Sequence, residues 1–94
     1  MNDTETQTLH IVISGRVQGV GFRQFTANKA KQYGIRGQVR NLTNGTVECV
    51  ATSNQSVLEK FIADLKKGPF FSRVDQVNIT QTELVHATDF KIVR

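Results

Sequence analysis

From Thr8 to Ser14 the chain alternates: Leu9, Ile11 and Ile13 fall on one side, His10, Val12 and Ser14 on the other. A period of two predicts a strand with the first set facing a core. From Phe22 to Tyr33 the spacing changes to that of a helix. Phe22, Phe25, Ala30 and Tyr33 form a stripe, Lys29, Lys31 and Gln32 lie mostly outside it, and Gly34 suits a left-handed cap. Alternation returns over Ile35 to Asn41, with Ile35 and Val39 on one face and Arg36, Gln38 and Arg40 on the other. Thr43-Asn44-Gly45 then reads as a hairpin turn into a third strand, Thr46 to Thr52, with Val47, Cys49 and Ala51 inward. A second helix spans Gln55 to Lys67, its core stripe being Val57, Leu58, Phe61, Ile62 and Leu65. Ser56 and Glu59 have capping-box spacing, a start two residues earlier fits as well, and Gly68-Pro69 stops the helix. A fourth strand follows over Val74 to Gln81, then a polar connection through His86 and a short last strand, Asp89 to Val93.

The order β-α-β-β-α-β is the split-βαβ pattern of ferredoxin-like α+β folds: a sandwich of an antiparallel sheet with two helices on one face, here with a short extra C-terminal strand. In that topology strands one and two run in the same direction with strand three between them. Their ends share one edge of the sheet, about 10 Å apart. Whatever leaves strand one can then meet whatever ends strand two.

Ninety-four residues suit one domain, 1–94, with residues 1–7 expected as a flexible tail. The net charge of +4 suits anionic partners, although acidic residues are scattered among the basic ones. The single cysteine, Cys49, excludes an internal disulfide and a multi-cysteine metal site, and it reads as a small buried hydrophobe. The polar, acidic start lacks the pattern of a signal peptide, and no apolar run approaches membrane-spanning length. A cytoplasmic monomer is expected, with no membrane partner.

The candidate chemistry lies in Gly15-Arg16-Val17-Gln18-Gly19-Val20-Gly21-Phe22-Arg23, between the first strand and the first helix. Three glycines free the backbone to aim several N–H groups at one spot, and the helix start adds its own unpaired N–H groups. Arg23 puts a forked cation beside that concavity. The loop predicts a cradle for a tetrahedral oxyanion such as phosphate. It is neither a P-loop, since Val20-Gly21-Phe22 stands where Gly-Lys-Ser/Thr is required, nor a dinucleotide fingerprint, which Gln24 breaks.

GRVQGVGFR closely resembles the signature of the acylphosphatases, small hydrolases of carboxyl–phosphate mixed anhydrides. A second block of that family, G-x-V-R-N, is matched by Gly37-Gln38-Val39-Arg40-Asn41, and the likeness runs from Leu9 to Arg94. The resemblance implies the ferredoxin-like fold and hydrolysis of small acyl phosphates without cofactor, metal or covalent intermediate. It implies two catalytic residues: Arg23, binding the phosphoryl oxygens, and Asn41, orienting the attacking water. Backbone N–H groups of Gln18, Gly19, Val20, Gly21, Phe22 and Arg23 complete the expected phosphate site. Arg40 is a weaker candidate for adding positive field, and Thr46 for supporting Asn41. Gln38 stands where the family often has an aromatic residue. Phe70-Phe71 fills a loop that is often small or polar, and these rings are expected to cover the core.

The residues also weigh against other chemistry. His10 falls mid-strand and His86 in a late loop, so neither is placed as a general base, and no nucleophile–histidine–carboxylate set is readable. RNA recognition on this fold stacks bases on aromatics of the central strands, and Leu9 to Ser14 and Thr46 to Thr52 contain none. A non-catalytic anion-sensing module of the same fold stands as the alternative function. A domain of a larger maturation enzyme is a further one, against which the chain's own start and end favour a free-standing protein.

Overall fold

A computed structural model describes residues 5–94. The elements are β1 (Thr6–Arg16), α1 (Phe22–Tyr33), β2 (Arg36–Asn41), β3 (Val47–Asn54), α2 (Gln55–Lys67), β4 (Arg73–Thr82) and β5 (Phe90–Val93). They build one sheet in the order β4-β1-β3-β2-β5. β3 pairs antiparallel with both β1 and β2, which therefore run the same way with β3 between them. β4 is antiparallel to β1, whereas β5 lies parallel to β2, so the sheet is mixed rather than wholly antiparallel.

The alternation read from the sequence is the alternation of burial. Leu9, Ile11, Ile13, Val39, Val47, Cys49 and Ala51 point to the helices and are buried, with Phe61 and Leu65 of α2 closing over them. Thr26 and Ala27 also lie on the buried side of α1, and the Thr26 hydroxyl is satisfied by donating to the Phe22 carbonyl at 2.8 Å. Phe25 and Tyr33 sit at the edges of that stripe. The Phe25 ring tilts against Phe22 at 5.9 Å, and the Tyr33 hydroxyl donates to Asp64 of α2 at 2.5 Å. Asn54 caps α2 by accepting from the Val57 N–H at 2.9 Å, so the earlier start holds and the Ser56–Glu59 pair is not the cap.

Two expectations need correction. The tail is shorter than residues 1–7, because Thr6 and Gln7 pair with Asn54 and Ser53 of β3; residues 1–4 lie outside the described residues. Phe70 and Phe71 do not cover the core: they are 92% and 73% exposed. Gly68 turns the chain out of α2 at φ 67°, and Ser72 closes a turn by donating twice to the Pro69 carbonyl. The two rings are left at its tip, edge to face at 5.0 Å.

The first glycine of the motif serves the sheet. β1 continues to Arg16, the register shifts between Ser14 and Gly15, and Gly15 pairs with Val74 of β4 at φ 127°. A Cβ there would lie 2.1 Å from the Arg73 carbonyl oxygen. The connecting loop is therefore Val17 to Gly21, shorter than the 15–23 span that the motif suggested.

Candidate active site

At the edge where β1 and β2 both end, a cleft of about 230 Å³ is lined by Val17, Gly19, Gly21, Phe22, Arg23, Gln24, Asn41, Ile92 and Arg94. Two larger hollows lie elsewhere. One is lined by Glu5 and Glu59 among others, the wrong sign for an anion, and the other sits under the 85–89 connection at Gln38 and Val50.

The loop wall follows from its glycines. Gly19 and Gly21 adopt φ 74° and 79°, where side chains are strained, and nothing lies within 4 Å of the Cβ either would carry. Their freedom shapes the backbone rather than making room for a neighbour. Gly21 is the N-cap of α1, and it offers no side chain to the helix's first N–H groups. Among the described residues, no backbone carbonyl outside the helices and strands accepts from N–H groups 18 to 24; the first such helical bond runs from Phe25 to Gly21 at 3.0 Å. This end of α1 carries unpaired N–H groups and the positive end of the helix dipole, with no acidic residue in its first turn. The half-buried Arg23 stands on that turn.

The opposite wall is the end of β2. Asn41 shares the helix-side parity of Gly37 and Val39 and is half-buried. Gln18 ties the two walls together: its side-chain N–H₂ donates to the carbonyls of Leu42 at 2.8 Å and Thr46 at 2.9 Å. Thr46 itself is engaged away from Asn41, its hydroxyl and N–H both donating to Asn44 Oδ1 at 2.6 and 3.1 Å. Its link to the site runs through its carbonyl and Gln18.

The remaining candidates fall outside. Arg40 alternates to the outer face of the sheet and donates to Glu48 Oε1 at 2.6 Å, with His10 Nε2 on the other carboxylate oxygen at 2.8 Å. These partners, His10 before Arg40, hold the Glu48 carboxyl below its ordinary value. His86 lies exposed in the connection to β5. Cys49 is fully buried, which pushes its thiol far above the ordinary range and keeps it un-ionised. The motif reading did not include Ile92 and Arg94 of the cleft. The signal was present in the parity of Phe90, Ile92 and Arg94, but only the parallel pairing with β2 gives that parity a meaning.

The model of the acylphosphatase family matches residues 9–92. An acylphosphatase of Treponema denticola is 40% identical over 91 residues, covering 96% of this chain and 97% of the relative. The crystal structure of the Bacillus subtilis acylphosphatase superposes with a TM-score of 0.91 at 34% identity, covering 96% of this chain and 100% of that one. Full-length HypF in its phosphate- and nucleotide-bound form matches with a TM-score of 0.87 at 32% identity, covering 96% of this chain but 12% of HypF. This chain belongs to the acylphosphatase family, hydrolases that act on acyl phosphates.

Proposed function

We propose that the cleft hydrolyses the carboxyl–phosphate bond of small acyl phosphates by direct attack of water. The N–H groups of Gln18 to Arg23 and the Arg23 guanidinium hold the phosphoryl oxygens and stabilise the charge that spreads over them in the transition state. The Asn41 side chain orients the water in line with the leaving group, a contribution of position, since a neutral amide cannot take its proton. The water oxygen bonds to phosphorus as the bond from phosphorus to the acyl oxygen breaks. The carboxylate leaves with that electron pair, and the water proton passes to a phosphate oxygen. Products are a carboxylate and inorganic phosphate, with no phosphorylated enzyme between.

The observation that carries this reading is the meeting of the unpaired N–H wall, Arg23 and Asn41 in a cleft whose lining contains no histidine, cysteine or acidic side chain. A site so built has donors in abundance and no general base. It suits a substrate with a good leaving group and a dianionic phosphate able to accept the proton. Replacing Asn41 by Ala tests the division of labour: kcat should fall by roughly 10²-fold while phosphate still inhibits competitively. Loss of phosphate inhibition would make Asn41 a binding residue instead. Phosphate binding with no turnover by the unaltered protein would favour the sensing module.

A further inference from the structure

Among the described residues, the two most exposed large apolar side chains, Phe70 and Phe71, stand side by side at one turn. Ser72 and Pro69 close that turn beneath them, so the rings form a convex tip rather than a groove. Together they offer on the order of 300 Å² of apolar surface to water. That falls short of the roughly 800 Å² that each partner covers in a stable protein pair. A lipid interface closes around whatever enters it. A two-ring tip is enough there for weak, reversible attachment, provided that a basic rim adds to it.

The rim is basic. Lys66 and Lys67 occupy the exposed last turn of α2, just before the tip. Arg73 follows the tip, and Arg16 of β1 is its cross-strand partner. Asp75 offsets Arg73 at 2.9 Å, whereas among the described residues Lys66, Lys67 and Arg16 enter no ion pair. Every described acidic side chain outside an ion pair lies toward the other end of the molecule. These are Glu5 before β1, Glu59 near the start of α2, Glu83 just after β4 and Asp89 just before β5. The registers fix this polarity: Thr8 pairs with Thr52 and Thr82 and Gly37 with Phe90 at that end, and Arg16 with Arg73 at the end of the tip. The molecule thus has a positive end tipped by two apolar rings.

We propose that the segment 66–73 is a peripheral docking site for an anionic membrane surface. Phe70 and Phe71 enter the boundary between headgroups and acyl chains, and Lys66, Lys67 and Arg16 lie against the anionic headgroups. The expectation of no membrane partner rests on the lack of a spanning run, and peripheral contact needs none. The tip stands at the end of the sheet where the cleft lies: a Cβ added at Gly68 would be 3.0 Å from the ring of Phe22, the first residue of α1. Docking therefore sets the end that carries the cleft at the bilayer. The site is separate from the cleft and stands whether or not the cleft is hydrolytic.

The test is co-sedimentation with vesicles of equal parts phosphatidylcholine and phosphatidylglycerol, beside vesicles of phosphatidylcholine alone. The unaltered protein should bind the mixed vesicles about tenfold or more tightly than the neutral ones, and the difference should shrink as salt is raised. The double variants Phe70→Ser with Phe71→Ser and Lys66→Gln with Lys67→Gln should each weaken that binding about tenfold, with unchanged circular dichroism. The chain has no tryptophan, so Phe70→Trp reports insertion directly, and its emission should shift to the blue on mixed vesicles. Undiminished binding by the double Phe variant would overturn the proposal and leave only attraction of the net charge. An emission that stays unshifted at saturating vesicles would overturn it as well. So would a dimer in solution that the double Phe variant abolishes, which would assign the tip to a second copy of this chain.

Discussion

Gln18 joins the loop to the hairpin after Asn41, and its replacement by Ala unties the two walls while keeping every backbone N–H group, Arg23 and Asn41. The variant loses two hydrogen bonds, at 2.8 and 2.9 Å. Neither acceptor is orphaned, because Leu42 O still receives the Gly45 N–H at 3.2 Å and Thr46 O the Leu42 N–H at 2.9 Å. The cost is thus the net value of two half-exposed bonds, about 1–2 kcal/mol, and not the larger penalty for stranded buried groups. In a domain of this size that lowers Tm by about 5–10 °C. Function should suffer beyond stability. With the hairpin free to drift relative to the cradle, kcat should fall roughly tenfold at a temperature where the variant is fully folded. Gln18→Glu sharpens the argument, since it sets a carboxylate against two carbonyl oxygens and must be worse than Ala in both respects. The assay is thermal unfolding by circular dichroism beside hydrolysis of benzoyl phosphate. A Tm and kcat like those of the unaltered protein, or a Glu variant milder than the Ala variant, would refute the tie.

Two further predictions concern the scaffold. Gly15→Ala drives a Cβ to 2.1 Å from a backbone carbonyl, while Gly21→Ala meets no atom within 4 Å and carries only the strain of positive φ. Urea midpoints should show a loss of about 3 kcal/mol or more for the first and about 1–2 kcal/mol for the second; equal losses would contradict the distinction. On the outer face, the Glu48 carboxyl is held below its ordinary value of 4.5 by His10 and Arg40. A depressed carboxyl stabilises the fold above its unfolded value and loses that contribution as pH falls toward the folded one. Stability should therefore decline on acidification below about pH 4.5, and Glu48→Gln should remove part of that decline. Superimposable acid profiles for the two proteins would exclude it.

The fold was legible because local and global preferences agree. Alternation at Leu9-Ile11-Ile13, the helical stripe Leu58-Phe61-Leu65 and the Asn44-Gly45 turn each state one answer, and the split-βαβ order leaves little freedom in joining them. What escaped depended on partners distant in sequence. Nothing near Gly15 reveals that Arg73 will cross it. Phe70-Phe71 has the composition of core, and only the turn closed by Pro69 and Ser72 decides that it faces water. The parity of Phe90, Ile92 and Arg94 is visible in the chain, yet its alignment with Asn41 depends on a parallel pairing that a four-residue strand does not announce. The loop of the candidate site was readable for the opposite reason. Its glycines and Arg23 belong to one contiguous stretch, and the topology alone carries Asn41 to it.

The central claim, a phosphate site built on the loop amides and Arg23, is tested most directly by hydrolysis of benzoyl phosphate in EDTA by the unaltered protein and by Arg23→Gln. The account predicts turnover by the first. In the variant kcat/KM should fall by about 10³-fold, together with a loss of competitive inhibition by inorganic phosphate. Turnover and phosphate inhibition that survive intact in Arg23→Gln would contradict it and move the phosphate elsewhere on the molecule.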